Sequence, residues 1–316
     1  TFDLACAQAN FDSARALLTE LGATVIRHAC EPDGKNINHE VGSTHPESLQ
    51  RRVLEERADL GVAFDGDGDR IILVDHRGEV VDGDDILYLI ARERQRAGQP
   101  LPGVVGTLMS NFGLEVALRE LGCDFVRANV GDRHVMAALE ERGWTLGGEP
   151  SGHIVCLDRA TTGDAIVAAL QVLAAMVGGG RSLAELRVGM GKYPQVLINV
   201  RLAQKIDIKA QPSLAQAVAD AETALAGQGR VLLRASGTEP VIRVMVEGRD
   251  GVLVQRLALA QQQQWGLMTV PPPGKAADSA ASSSAWSVRA SARSGISVNR
   301  VPMTARWRIS MRRSTT

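Results

Sequence analysis

The chain of 316 residues alternates between apolar runs of strand length and segments with helical apolar spacing, and this alternation constrains the fold more than any other feature. The helical segment 12–21 is followed by a strand-like run at 24–27, and the run 104–108 by a helical segment at 114–121. Such alternation is typical of layered α/β domains with largely parallel strand pairing. It predicts two layered α/β domains with mixed sheets, the first one truncated, followed by a small α+β domain.

The predicted domain boundaries follow changes in this pattern. Residues 1–78 are expected to form the first α/β domain, 79–192 the second, and 193–265 the small α+β domain. Residues 266–316 lose the periodic hydrophobics and contain three consecutive prolines, which predicts a disordered basic tail. Because the chain starts at Thr1 without an initiator Met, we expect it to be the C-terminal part of a longer protein.

Charge and composition argue against several classes of partner. Residues 266–316 hold eight Lys and Arg against one Asp, so the net charge of −1 leaves −8 for residues 1–265. The body therefore has no overall basic footprint for nucleic acid. No apolar run is long enough to cross a bilayer and no signal peptide is visible, so we expect no membrane partner. Four scattered Cys without a Cys-x-x-Cys pair predict a reducing, cytoplasmic location.

Residues 65–70 read Asp-Gly-Asp-Gly-Asp-Arg and directly follow an apolar run at 60–64. The glycines allow a turn tight enough for three carboxylates to converge, those of Asp65, Asp67 and Asp69. Converging carboxylates repel one another unless a cation lies between them. An all-oxygen set suits a hard divalent ion, which predicts a Mg²⁺ site.

Two alternative interpretations of residues 65–70 compete with the Mg²⁺ site. A solvated acidic turn is the simpler explanation, but the third Asp, the Arg and the flanking strands favour a metal site. A calcium loop of the EF-hand type needs Gly at its sixth position and a carboxylate at its twelfth, where this chain has Arg70 and His76. The run 71–74 is also a strand, so the EF-hand interpretation fails.

Residues 147–153 read Gly-Gly-Glu-Pro-Ser-Gly-His and lie between two strand-like segments. Glu149 and Ser151 are two residues apart and flanked by glycines, so both can point into a cleft and hydrogen-bond neighbouring sugar hydroxyls. The alternative is an ordinary polar turn in which Glu149 is solvated and His153 caps a strand.

A third motif, Arg-Ala-Ser-Gly-Thr-Glu-Pro at 234–240, follows a strand-like run and combines hydroxyls, glycine and arginine. Such a loop can bind phosphate through backbone N–H groups, hydroxyls and guanidinium groups. The predicted phosphate ligands are Arg234, Ser236, Gly237, Thr238 and Arg243. It is not a Walker loop, because no Gly-Lys-Ser/Thr follows at the required spacing. Arg133, at a predicted helix start, could also meet a phosphate or a carboxylate.

With these motifs the chain resembles the α-D-phosphohexomutases, most closely the bacterial phosphoglucosamine mutases, over about residues 12–262. The resemblance rests on the metal loop 65–70, the sugar loop 148–153 and the phosphate loop 234–240, which occur in this order. Further segments favour the phosphoglucosamine branch, namely 36–38, 42–44, 106–111, 130–133 and 243–248.

The resemblance implies a four-domain enzyme that interconverts glucosamine 6-phosphate and glucosamine 1-phosphate and feeds UDP-N-acetylglucosamine synthesis. A phosphoserine and a bisphosphate intermediate carry the transfer, and Mg²⁺ is held by the three Asp and the phosphoserine. The implied sugar ligands are Glu149, Ser151, Gly152 and His153, with Arg70 and Arg133 in supporting roles.

The family's catalytic serine lies in a Ser-His-Asn loop, and this tripeptide does not occur in residues 1–316. We therefore assign no catalytic residue within the chain and expect the loop in a domain ahead of Thr1. Two alternatives stay open at this point. The chain could be a remnant or pseudoenzyme that binds sugar phosphate without turnover, or a phosphomannomutase or phosphoglucomutase of the same superfamily. The oligomeric state is not predicted.

Overall fold

The computed structural model describes residues 2–5, 11–31, 33, 35–202, 207–208, 211–236 and 239–267. Two of the predicted phosphate ligands, Gly237 and Thr238, lie outside these residues. The predicted disordered tail also lies outside them, except that the last helix extends to Leu267. Within the described part of the chain, no helix is long and apolar enough to span a bilayer.

The first domain is a five-stranded sheet between helices. Its elements are β1 (Phe2–Ala5), α1 (Phe11–Glu20), β2 (Val25–His28), α2 (Glu47–Glu56), β3 (Leu60–Phe64), β4 (Ile71–Asp75) and β5 (Val80–Val81). The strand order is β2-β1-β3-β4-β5, with parallel pairing around β1 and antiparallel pairing from β3 to β5. Alternate residues of β3 face opposite layers: Leu60 packs in the core that includes α1, and Ala63 in the core beneath α2.

The second domain is a four-stranded mixed sheet of order β7-β6-β8-β9. Its elements are α3 (Gly83–Arg96), β6 (Gly103–Thr107), α4 (Phe112–Glu120), β7 (Asp124–Ala128), α5 (Asp132–Arg142), β8 (Leu146–Gly148), β9 (Ile154–Cys156), α6 (Ala165–Gly179) and α7 (Leu183–Leu186). Strand β6 pairs in parallel with β7 and β8, while β9 is antiparallel to β8.

The third domain is a three-stranded antiparallel sheet of order β10-β12-β11. Its elements are β10 (Gln195–Arg201), α8 (Pro212–Leu225), β11 (Gly229–Ala235), β12 (Val241–Gly248) and α9 (Gly251–Leu267). One face of the sheet packs against α8 and α9 through strand residues such as Val231, Val244 and Val246. We call the opposite face, by strand alternation, the helix-free face; it carries Gln195, Leu197, Asn199, Arg201, Arg230, Leu232, Arg234, Arg243, Met245 and Glu247.

This architecture confirms the predicted fold class of two layered α/β domains with mixed sheets and a small α+β domain. The parallel strands β6, β7 and β8 end at the same edge of their sheet, as parallel pairing requires. The loops that leave this edge are 108–111, 129–131 and 149–153. The sugar loop predicted from the sequence is therefore one of a cluster of loops, where ligands of α/β sheets are generally bound.

Candidate functional site

The metal loop connects the antiparallel strands β3 and β4, and its three Asp do converge. One carboxylate oxygen from each of Asp65, Asp67 and Asp69 lies within 4.8 Å of the others. Gly68, at a φ of +73°, makes the turn, and its N–H donates to Asp65 Oδ1 over 3.0 Å. The N–H of Arg70 donates to the same oxygen over 3.2 Å. Backbone donors therefore hold Asp65, which is fully buried.

Two carboxylate oxygens of the metal loop take no part in these hydrogen bonds. Asp65 Oδ2 and Asp69 Oδ1 are buried and accept no hydrogen bond from any residue the structure describes. Arg70 Nε lies 2.6 Å from the first and 3.7 Å from the second, which is an ion pair by distance and not an aligned hydrogen bond. Buried oxygens with spare lone pairs are what a hard divalent cation requires, so the residues fit Mg²⁺.

The sugar loop lies directly against the metal loop. His153 Nδ1 is 3.0 Å from Asp69 Oδ2, and the His153 ring is buried. The N–H of Ile71 donates to the carbonyl of Gly152 over 3.1 Å. A Cβ at Gly163 would lie 2.3 Å from the imidazole, so glycine is needed there to accommodate the ring. His153 therefore joins the two loops and does not merely cap a strand.

Glu149 and Ser151 lie side by side at the rim of the sugar loop. Glu149 is half-buried and its Oε1 accepts the N–H of Gly131 over 2.7 Å, while Ser151 Oγ lies 3.4 Å from Glu149 Oε2. Arg133 is exposed in the first turn of α5, two residues beyond Gly131. The structure thus brings the predicted sugar ligands together, and the predicted supporting Arg133 lies at the start of the helix that follows the neighbouring loop.

Helix α3 supports the sugar loop from behind. The N–H of Gly83, the first residue of α3, donates to the carbonyl of Pro150 over 3.2 Å. A Cβ at Gly83 would lie 1.9 Å from the carbonyl oxygen of Glu149. Gly152 has a φ of +99°, and a Cβ there would lie 2.0 Å from the carbonyl oxygen of Ile71. Two glycines therefore set how closely the sugar loop approaches its neighbours.

The predicted phosphate loop follows β11 in the C-terminal domain. Arg234 pairs directly with Arg243 across β11 and β12, and both side chains are exposed on the helix-free face. Like charges directly opposite each other destabilise a sheet, so this pair lowers the stability of the domain unless an anion binds between the two guanidinium groups. Ser236 Oγ accepts a hydrogen bond from the N–H of Glu239 over 3.2 Å, which joins the described residues on either side of positions 237 and 238.

A buried charged cluster at the start of α3 was not predicted from the sequence. Asp82 caps the helix, and Lys192 pairs with both Asp82 and Asp85, the latter over 2.9 Å. Burial, reinforced by the nearby Asp82 charge, raises the pKa of Asp84 to about 7. Burial alone would lower the pKa of Lys192, but the two carboxylates outweigh it and raise that pKa. The capping box of Asp82 and Asp85 was the available signal, and it indicated only a helix start.

The raised pKa of Asp84 predicts a pH-dependent stability. Between the unfolded pKa near 4 and the folded pKa of about 7, the folded chain keeps a proton that the unfolded chain has lost. This contribution to the free energy of unfolding is therefore lost as pH rises, by up to about 1.4 kcal/mol per pH unit. Because Asp84→Asn cannot titrate, the variant should gain stability over the parent across this window and hold that gain above it. Urea unfolding at several pH values checks this, with exposed Asp220→Asn as the control; a difference independent of pH would contradict it.

Comparison with known proteins decides the family. Residues 6–78 match the description "Phosphoglucomutase/phosphomannomutase, alpha/beta/alpha domain II", residues 82–193 the corresponding domain III, and residues 197–261 the C-terminal domain. The chain belongs to the phosphoglucomutase/phosphomannomutase family. The family expected from the three motifs is thereby confirmed.

Curated relatives of this phosphohexomutase chain include the phosphoglucosamine mutase of Hahella chejuensis, 60% identical over 80% of this chain and 57% of the relative. The phosphoglucosamine mutase of Sodalis glossinidius is 58% identical over 79% of this chain and 56% of the relative. The chain thus spans little more than half the length of these relatives.

Solved structures share the fold. An Aspergillus fumigatus N-acetylphosphoglucosamine mutase in complex with GlcNAc-6P and magnesium aligns with a TM-score of 0.67 and 23% identity, over 85% of this chain and 62% of that one. A phosphoglucomutase/phosphomannomutase family protein of Burkholderia thailandensis aligns with a TM-score of 0.67 and 23% identity, over 87% of this chain and 61% of that one. At this level of identity the likeness of the phosphohexomutase chain to these structures concerns the fold.

Proposed function

We propose that the chain provides the metal, sugar and phosphate sites of a phosphoglucosamine mutase, which interconverts glucosamine 6-phosphate and glucosamine 1-phosphate. The observation that supports this most strongly is the contact between the acidic metal loop and the sugar loop, made by His153 and Asp69 over 3.0 Å. An acidic loop in contact with a loop suited to hydroxyl groups supports phosphoryl transfer to a sugar beside a bound cation. The identity of 58–60% to several phosphoglucosamine mutases supports the glucosamine branch over mannose or glucose phosphates.

In this proposal the chain's residues bind and orient the substrate. Glu149 accepts hydrogen bonds from ring hydroxyls, and the Ser151 hydroxyl donates to them. The opposed guanidinium groups of Arg234 and Arg243 bind the phosphate that is not being transferred. Holding the sugar at both ends fixes which oxygen faces the metal loop. His153 keeps Asp69 in place beneath the sugar.

Asp65, Asp67 and Asp69 would hold the proposed Mg²⁺. When bound, the ion neutralises negative charge on the phosphoryl oxygens. The phosphoryl carrier that the family resemblance implies is a serine outside residues 1–316, so no step of the transfer is assigned to a residue of this chain. The cytoplasmic location expected from the cysteine pattern stays a prediction.

Asp67→Asn is expected to weaken Mg²⁺ or Mn²⁺ binding by about tenfold, because one of three ligand charges is lost. Asp67 is exposed, so folding should be unaffected. Calorimetric titration with Mn²⁺ measures this directly, and Asp124→Asn, an exposed Asp on β7, is the matched control. Equal affinity in the parent and Asp67→Asn would show that this carboxylate is not a ligand.

The proposed function is tested by comparing ligands. Calorimetric titration of the chain in the presence of Mg²⁺ should give tighter binding for glucosamine 6-phosphate than for mannose 6-phosphate or glucose 6-phosphate. A preference for either of the latter would assign the chain to the corresponding branch of the family. Absence of binding for all three sugar phosphates would refute the assignment of the sugar and phosphate loops.

A further inference from the structure

The helix-free face of the C-terminal sheet is exposed at one end and buried at the other. Arg234 and Arg243 are exposed, whereas Met245 and Glu247 are 1% and 0% exposed. Helices α8 and α9 pack on the other face, so they do not cover Met245 and Glu247. Arg230, which pairs with Glu247 on this face, contacts the loop between β6 and α4 in the second domain.

Arg230 makes three directional hydrogen bonds, and two of them connect the C-terminal domain to the second domain. Its Nη1 donates to the carbonyl of Leu108 over 3.0 Å, and its Nη2 donates to the carbonyl of Ser110 over 2.8 Å. Its Nε donates to Glu247 Oε2 over 2.9 Å within the C-terminal domain. A planar guanidinium group fixes distance and angle together, which a flexible ammonium group cannot do.

Glu247 completes this contact from the other side. It lies opposite Arg230 in the strand register, and the backbone N–H of Phe112 at the start of α4 favours its charged form. Burial raises the pKa of Glu247, although Arg230 and the Phe112 N–H act against that rise. A buried ion pair adds little net stability because desolvation offsets the attraction. We therefore interpret the ion pair of Arg230 and Glu247 as a contact that fixes how the C-terminal sheet is placed on the second domain.

The loop contacted by Arg230 leads to the sugar loop in two further steps. The N–H of Asn111, next to Ser110 in this loop, donates to Asp84 Oδ2 over 2.7 Å. Asp84 is in the first turn of α3, next to Gly83, whose N–H holds the carbonyl of Pro150. Hydrogen bonds and adjacent residues thus connect Arg230 on β11, through the loop between β6 and α4 and the first turn of α3, to the loop that carries Glu149.

The same strand links Arg230 to the predicted phosphate ligands. Arg230 and Arg234 are four residues apart on β11, so they lie on one face about 13 Å from each other. Fixing Arg230 on the second domain therefore also fixes where Arg234 and Arg243 stand relative to Glu149. Arg230 can therefore affect ligand binding without contacting the phosphate or the sugar.

We propose that Arg230 is a positioning residue that sets the spacing between the phosphate-binding arginines of the C-terminal domain and the sugar loop of the second domain. This rests on the proposed function, because it takes those arginines and Glu149 as ligands of one sugar phosphate. A ligand that spans both domains should depend on Arg230, and a ligand that contacts the C-terminal domain alone should not.

The first experiment compares two ligands on the full chain by calorimetry. Arg230→Met is expected to weaken glucosamine 6-phosphate binding by about tenfold, while inorganic phosphate, which needs only Arg234 and Arg243, should bind within about twofold of the parent. The loss of glucosamine 6-phosphate affinity in Arg230→Lys should be intermediate, since an ammonium group keeps the charge and three donors but lacks the rigid planar geometry of the guanidinium group. Equal loss for both ligands, or for neither, would overturn the proposal.

Arg127→Met is the matched control. Arg127 Nη1 also donates to the carbonyl of Ser110, over 2.6 Å, and its charge acts on Glu247, but Arg127 lies on β7 of the second domain. All its hydrogen bonds in the described part of the chain are to residues of the second domain. Its replacement should leave the ratio of the two affinities unchanged. A shift in that ratio as large as that of Arg230→Met would show that the loop, and not the interdomain contact, determines binding.

A second measurement is independent of any ligand. Spin labels on the exposed positions Glu141 of α5 and Glu222 of α8, in a background with Cys6 and Cys30 replaced by Ser, report the distance between the domains. Arg230→Met should broaden the distance distribution with unchanged circular dichroism. An unchanged distribution would refute the positioning role even if the parent binds glucosamine 6-phosphate. Failure of the parent to bind would refute the proposed function alone.

Discussion

Arg243→Ala is expected to weaken glucosamine 6-phosphate binding by about 10- to 100-fold, because a charged hydrogen bond to a phosphate is worth about 1.5–3 kcal/mol. The same change should not destabilise the unliganded chain. Arg243 faces Arg234 directly across the strands, so removing it relieves repulsion worth up to about 1 kcal/mol. Calorimetry and thermal unfolding of the same preparation measure both effects.

Arg256→Ala provides the matched control for this prediction. Arg256 is an exposed arginine of the same domain on α9, on the opposite side of the sheet. Its loss should change neither affinity nor stability appreciably. If Arg243→Ala lowers the melting temperature while the affinity is kept, the residue is structural and its assigned role is wrong.

Gly83→Ala is expected to destabilise the chain by about 3 kcal/mol and to reduce sugar-phosphate affinity as well. The added Cβ would lie 1.9 Å from the Glu149 carbonyl oxygen and 2.9 Å from the backbone nitrogen of Gly152. Both are backbone atoms of the sugar loop, so the clash can be relieved only by moving that loop. Urea unfolding gives the stability and calorimetry the affinity.

Gly178→Ala is the control with the same chemical change. Gly178 lies in the last turn of α6, and a Cβ there would meet nothing within 4 Å. Alanine in a helix is favoured over glycine by about 1 kcal/mol, so this variant should be slightly more stable than the parent. Equal stability of Gly83→Ala and the parent would mean that α3 and the sugar loop are not in the described contact.

The elements that could be predicted from the sequence are those specified locally. The three Asp of residues 65–70 are brought together by a short turn between two strands, so neighbouring residues contain the whole signal. Helix and strand periodicity was likewise sufficient for the order of the layers. The sugar and phosphate loops are likewise short contiguous motifs, and their assignment stays a prediction; Gly237 and Thr238 lie outside the described residues.

Contacts between distant segments could not be predicted in this way. The sequence analysis singled out neither Lys192 nor Arg230. Lys192 pairs with Asp82 and Asp85, more than 100 positions earlier in the chain, and Arg230 bonds carbonyls of another domain. Their burial depends on how the domains pack. The bond between His153 and Asp69 likewise joins residues 84 positions apart.

The mutase reaction itself tests the central claim most directly. The chain, fused to or mixed with a phosphorylated first domain of a phosphoglucosamine mutase, should convert glucosamine 1-phosphate to glucosamine 6-phosphate in the presence of Mg²⁺, and Glu149→Ala should impair the conversion. Residues 1–316 alone should give no turnover, since the Ser-His-Asn loop does not occur in them. Absence of turnover with the first domain supplied, or robust turnover from residues 1–316 alone, would contradict this account.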